Sequence, residues 1–202
     1  MHISEGVLSG QVLSAGAVIA VAGTAIGLKK IDYDKIVHVA ILASAFFVAS
    51  LIHINIGPAS VHLILNGIVG LLLGFAAIPA IVAALLLQSV LFQYGGLTAL
   101  GVNVVIMAFP AVLAHYLFLP FLGRTSKLTF IAGFMAGLFS ILCSCLLLGF
   151  ALWFTDNNFL ETSFAIIITY IPVMIIEGIV TGFCVSFLLK VYPEIIPTKA
   201  LK

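Results

Sequence analysis

Apolar residues run through this chain in long blocks, broken at intervals by short clusters of Gly, Pro, Asn, Asp, Lys or Arg. Each block is close to the ~20 residues that a helix needs to cross the hydrocarbon core of a bilayer. Read from break to break, the pattern predicts seven transmembrane helices over about 7–28, 36–56, 59–76, 78–93, 102–122, 128–154 and 163–190. The third and fourth are joined only by "FAAIPA", a connection short enough for a tight hairpin at one surface. No linker interrupts the series, so residues 1–202 are expected to form a single transmembrane domain of the all-α class. No internal repeat relates two halves, as it does in carriers built from inverted repeats.

Composition sharpens this picture. The 202 residues are 63% hydrophobic and 7% charged, whereas soluble domains carry about 25% charged residues. The partner that this surface implies is lipid. A net charge of +1 with only eight Lys and Arg leaves no basic patch for nucleic acid. Cys143, Cys145 and Cys184 all fall in apolar runs and read as small packing residues.

Charge also orients the series. Lys29, Lys30 and Lys35 fall between the first and second helices, Arg124 and Lys127 between the fifth and sixth, and Lys190, Lys199 and Lys202 in or beyond the last. With seven helices and an outside amino terminus, all eight lie on the cytoplasmic side. The protein is therefore expected in the cell (plasma) membrane, multi-pass, with its carboxyl terminus in the cytoplasm. The opening "MHISEG" has neither the basic n-region nor the small-residue cleavage site of a signal peptide, so Met1 and His2 are expected to remain.

That topology gathers chemistry at the outer face. Met1 and His2 start the first helix, His53 ends the second, His62 lies about one turn into the third, Gln93 ends the fourth and Asn103 begins the fifth. A free α-amine, the deprotonated backbone nitrogen of residue 2 and Nδ1 of its imidazole can close a five-membered and then a six-membered chelate ring. Three nitrogens then share a plane with one open corner, which suits Ni(II) or Cu(II) rather than tetrahedral Zn(II). His62 and His53 both compete for that corner, the other being free to orient the first ligand by hydrogen bonding. An interfacial histidine otherwise only bonds a headgroup or a loop carbonyl. Glu177 is the one acid in mid-span; a buried hydrogen bond is expected for it in preference to a proton relay, and its depth sets it apart from the ion. Pairs such as Gly70/Gly74, Ala132/Ala136, Gly133/Gly137 and Ala45/Ala49 have the spacing that lets helices approach closely.

At these residues the chain resembles a known family. "MHISEG" is similar to the "MHIPEG" start of the cobalt/nickel-specific substrate-binding component of energy-coupling factor (ECF) transporters, the CbiM/NikM family. "HINIGPASVHLILNGIVGLLLG", "LLLQSVLFQYGGLTALGVNVVIMAFPA" and "IIEGIVTG" resemble later blocks in the same order. The resemblance implies a six-helix ECF core with an added first helix that drops the amino terminus into a central pocket. Its ion ligands carry over to Met1, His2 and His62, with His53 and Asn103 as pocket or supporting residues. "GPASVHLILNG" is nearer the nickel-type block, so Ni(II) is the expected cargo and Co(II) the alternative. "HINIG" departs from the commoner "HVPIG". Implied partners are a transmembrane coupling (T) subunit, two cytoplasmic ATPases and a small accessory membrane protein. The chain has no G-x-x-x-x-G-K-[ST] phosphate loop, so it is expected to be no enzyme and to leave ATP hydrolysis to those partners. Two other classes compete: a membrane haem or quinone oxidoreductase using His38 and His115 as axial ligands, and a secondary metal carrier working alone.

Overall fold

The computed structural model describes residues 3–56 and 59–195. Among them are seven α-helices: α1 (Gly10–Lys29), α2 (Ile36–Ala49), α3 (Asn66–Leu73), α4 (Ala77–Phe92), α5 (Leu100–Phe118), α6 (Ser126–Thr155) and α7 (Leu160–Val191). Between α2 and α3 lies an antiparallel hairpin of β1 (His53–Ile56) and β2 (Ala59–His62). Local chemistry sets several of these ends. The Ser9 hydroxyl accepts from Val12 N–H at the start of α1, and the Thr125 hydroxyl accepts from Leu128 N–H at the start of α6. Lys29 closes α1, where a cation complements the helix dipole.

Five stretches are long and apolar enough to cross a membrane: Gly10–Lys29, Asn66–Phe92, Leu100–Phe121, Ser126–Thr155 and Glu161–Val191. Large apolar side chains face outward on them, among them Val18, Val21, Phe154 and Phe183. The polar side chains of Asn66, Gln88, Ser140, Ser144, Glu177 and Thr181 are wholly enclosed. Apolar outside and polar inside is the arrangement that lipid, rather than water, selects.

The apolar stretch Asn66–Phe92 changes direction at Gly74, whose φ of +55° and ψ of −125° leave the helical region. Below that break, α3 runs alongside α5 in the same sense, with Asn66 bonded to the Met107 carbonyl, Gly70 against Ala111 and Gly74 against the His115 ring. Beyond it, α4 returns: Pro79 packs on Gly27 near the end of α1, and Gln88 bonds to Ser50 just past the end of α2. The chain thus makes its hairpin at the "FAAIPA" connection. The same helix directions bring Lys29, Lys30, Lys35, Arg124, Lys127 and Lys190 to one end of the bundle, where Arg124 and Lys190 line a common cavity of about 520 Å³.

Two expected helices need correction. The second was expected to continue to residue 56, but α2 stops at Ala49; the third was expected from residue 59, but α3 begins only at Asn66. His53 therefore opens a strand instead of ending a helix, and His62 closes one instead of sitting a turn inside a helix. The reason is visible in "HINI", where polar and β-branched residues alternate with the period of a strand, followed by Gly-Pro and a second short run. High average apolarity masks that alternation. The remaining helices lie within a few residues of the expected spans.

Small residues let the helices meet at backbone distance. A Cβ on Gly70 would stand 2.1 Å from the Ala111 carbonyl oxygen, and one on Gly137 would stand 2.6 Å from the Glu177 carbonyl oxygen. The Gly70/Gly74 pair of α3 and the Gly133/Gly137 pair of α6 are thus spent on internal contacts. Gly70→Ala is expected to force α3 and α5 apart and cost about 1–3 kcal/mol, read as an earlier thermal transition in detergent. Gly10→Ala, which has open space around it, should leave that transition unchanged.

Candidate metal centre

The segment before α1 is pinned into the bundle. Ile3 is buried, its N–H donates to Asn103 Oδ1 at 2.9 Å, and its carbonyl accepts from Asn103 Nδ2 at 3.1 Å. One side-chain amide thus satisfies both backbone groups of one residue, as a neighbouring strand would. Further along, Glu5 Oε1 accepts from Thr98 N–H at 3.1 Å, in the loop between α4 and α5, and Ser9 N–H donates to Thr155 Oγ1 at 3.2 Å. Met1 and His2, expected as ligands from the sequence, lie outside the described residues.

His62 closes β2 and is buried, with only 4% of its surface exposed. Its Nδ1 lies 2.9 Å from the Leu63 carbonyl oxygen. A carbonyl can only accept, so this contact places a proton on Nδ1; in the neutral ring the lone pair is then on Nε2, the form in which imidazole binds a metal. Opposite His62 in the hairpin register stands His53, followed by the pairs Ile54 with Val61, Asn55 with Ser60 and Ile56 with Ala59.

From Leu63 to Leu65 the chain has left the hairpin and not yet entered α3. Inside a bilayer its amides need protein acceptors. The Glu177 carboxylate of α7 provides one: Oε1 accepts from Ile64 N–H and, at 2.8 Å, from Leu65 N–H. Leu65 itself has a φ of +59°, a left-handed conformation that costs about 1–3 kcal/mol for such a residue. Beside this turn, Asn66 Nδ2 donates to Ser144 Oγ at 3.0 Å and to the Met107 carbonyl at 3.3 Å. The bond expected for Glu177 is therefore present, but its partners are the amides two and three residues beyond His62, so its depth does not set it apart from the His62 segment as expected.

The two other histidines serve their own surroundings. His115, buried on α5, holds Nδ1 2.9 Å from the Leu71 carbonyl, and His38 stacks on Tyr192 with ring centroids 5.7 Å apart. Gln93 ends α4 in a left-handed turn and is exposed. Among the described residues no group of three or more His, Cys, Asp or Glu side chains converges as a metal cage. Neither the pair of hydrogen bonds between Asn103 and Ile3 nor the Glu5 tether was read from the sequence. Their one signal was the pairing of an acid in "MHISEG" with polar residues in "QYGGLTALGVN".

A helical bundle with five stretches long and apolar enough to cross a bilayer, apolar side chains turned outward and polar ones enclosed is that of a multi-pass membrane protein. The chain belongs to the CbiM family, whose model, described as the cobalt uptake substrate-specific transmembrane region, matches residues 2–195. It is 43% identical to a Haemophilus influenzae protein named as a metal transport protein, over 96% of each chain. It is 26% identical to the cobalt transport protein CbiM of Sorangium cellulosum, over 97% of this chain and 94% of that one. It is also 36% identical to the fused nickel transport protein NikMN of Rhodobacter capsulatus, over 54% of this chain and 33% of that one. The fold matches the crystal structure of a truncated transition metal transporter with a TM-score of 0.77, at 23% identity, over 94% of this chain and 99% of that one. It is accordingly a membrane component of transition-metal transport.

Replacing Asn103 with leucine leaves both backbone groups of Ile3 without partners, at roughly 1–3 kcal/mol for each buried group. Amide exchange at Ile3 is expected to quicken at least tenfold in Asn103→Leu. Exchange at the wild-type rate would show that other contacts hold the segment.

Proposed function

We propose that this chain is the substrate-capture subunit of an ATP-driven importer of the energy-coupling factor type, and that its cargo is Ni(II). The ion is held by the Met1 amine, the backbone nitrogen and imidazole of His2, and Nε2 of His62. The observation that carries this reading is the double hydrogen bond between Asn103 and Ile3, which anchors the amino-terminal segment within the bundle. An amino terminus tethered there needs only two further residues to complete the chelate. The tautomer that Leu63 imposes on His62 adds the fourth nitrogen.

In this reading α1 is the added helix and α2 to α7 form the six-helix core, each crossing or entering the membrane. The amino terminus is outside, and the basic end faces the cytoplasm. His53 and Asn103 support the pocket without touching the ion. Ni(II) enters from outside, loses water to a nitrogen plane, and leaves inward when a coupling subunit and two ATPases, with or without a small accessory membrane protein, move this subunit. The chain performs no catalysis of its own. Co(II) is the second reading, favoured by the cobalt name of the family and of the Sorangium relative; the nickel name of the Rhodobacter relative and the "GPASVHLILNG" block favour the first.

The coordination chemistry fixes how binding responds to its conditions. The residue-2 amide must lose a proton to ligate, so affinity rises with pH and binding releases protons. Protein with a native amino terminus should bind Ni(II) as a yellow, diamagnetic complex. Adding one residue before Met1, or making His62→Ala, should lower affinity at least a hundredfold, whereas His38→Ala and His115→Ala should not. Titration by absorbance and calorimetry checks this. Equal binding by the extended and native proteins, or a paramagnetic six-coordinate spectrum, would overturn the nitrogen plane.

A further inference from the structure

Leu63, Ile64 and Leu65 form the whole connection from the end of β2 at His62 to α3, and two sets of contacts and one backbone turn fix its shape. The Leu63 carbonyl accepts from His62 Nδ1, Leu65 turns the chain through a left-handed conformation, and Ile64 and Leu65 both donate to Glu177 Oε1. Glu177 comes from far along the chain, on α7, and is completely enclosed. Its second oxygen, Oε2, has no partner among the described residues, so the whole of its observed bonding is directed at these two amides. At this level α6 comes against the backbone of α7, where Gly137 meets the Glu177 carbonyl and the Thr181 hydroxyl.

From this we infer that Glu177 is a positioning residue for the metal centre: its Oε1 holds the backbone on which His62 rides and so sets where the imidazole stands, without touching the ion. This rests on the reading of His62 as a ligand. What the two amides require is an acceptor at that point in space, and a carboxamide oxygen offers the same acceptor as a carboxylate oxygen. Glu177→Gln should therefore keep the geometry. Glu177→Asp retains the carboxylate but is one carbon shorter and cannot reach both amides from α7. Glu177→Ala leaves both unpaired in the bilayer. Loss of a group that orients a metal ligand typically weakens binding about 10- to 100-fold.

The experiment is an Ni(II) titration of the full chain with its native amino terminus, followed through the ligand-field absorption bands, with His62→Ala in parallel. Glu177→Gln is expected to bind within about threefold of wild type with unshifted bands, while Glu177→Ala and Glu177→Asp lose about 10- to 100-fold and shift the bands. If Glu177→Ala elutes as a single species with the wild-type melting transition and binds as wild type, the inference is wrong. If Glu177→Ala does not fold, the order of the other two decides: Asp better than Gln would make charge the active element and overturn it. Wild-type binding by His62→Ala would instead refute the ligand assignment, a result distinct from a failure of Glu177 alone.

Discussion

A bilayer supplies no water to an unwound backbone, and this chain unwinds inside its own helical bundle. Between His62 and Asn66 neither helix nor sheet takes up the amides. One buried carboxylate takes up two of them, those of Ile64 and Leu65, from a residue more than a hundred positions away in sequence. Isolated in hydrocarbon, a carboxyl group on α7 and two free N–H groups would each be costly; brought together they offset one another. The break in helix that the bond permits is also what allows a histidine to be presented from a strand end, sealed among side chains, on rigid backbone. The position of His62 and that of Glu177 are thus two ends of one solution.

The rest of the bundle is arranged around that interior. Polar side chains that would be exposed in a soluble protein, Asn66, Gln88 and Ser144 among them, are completely enclosed, and their bonds run between elements: Asn66 to Ser144 and Met107, Gln88 to Ser50. Close approach at glycine makes this possible. Gly137 brings α7 against α6 at the level of Glu177, and Gly70 brings α3 against α5 below it. With apolar lipid outside, there is little hydrophobic force to hold helices together, so interlocking shape and internal hydrogen bonds carry the association.

Much of this could be read from the sequence, because a membrane span needs only length and apolarity to be recognised. α1 and α4 to α7 fall close to their expected bounds for that reason, and so does the turn at "FAAIPA". The stretch from Ser50 to Leu65 escaped, since its isoleucines and valine raise the apolar average as much in a strand as in a helix. The alternation in "HINI" was the better guide there, and it conflicted with the span count. Glu177 was legible as a residue in need of a partner; the partner was not, because backbone amides become available only where a helix fails to form. Asn103 was placed correctly at the start of a helix near the amino terminus, but its grip on Ile3 depends on a contact across a hundred residues. Met1 and His2 rest on coordination chemistry and family resemblance together.

The distance along the chain between Ile64 and Glu177 has a consequence for biosynthesis. At eight residues, α3 is too short to be taken up by the membrane as a span, so it enters together with α4 as one helical hairpin. Because translation runs from the amino end, the acceptor for Ile64 and Leu65 is among the last parts of the bundle to be made. The turn that follows His62 therefore cannot reach its final hydrogen bonding until α7 is in place.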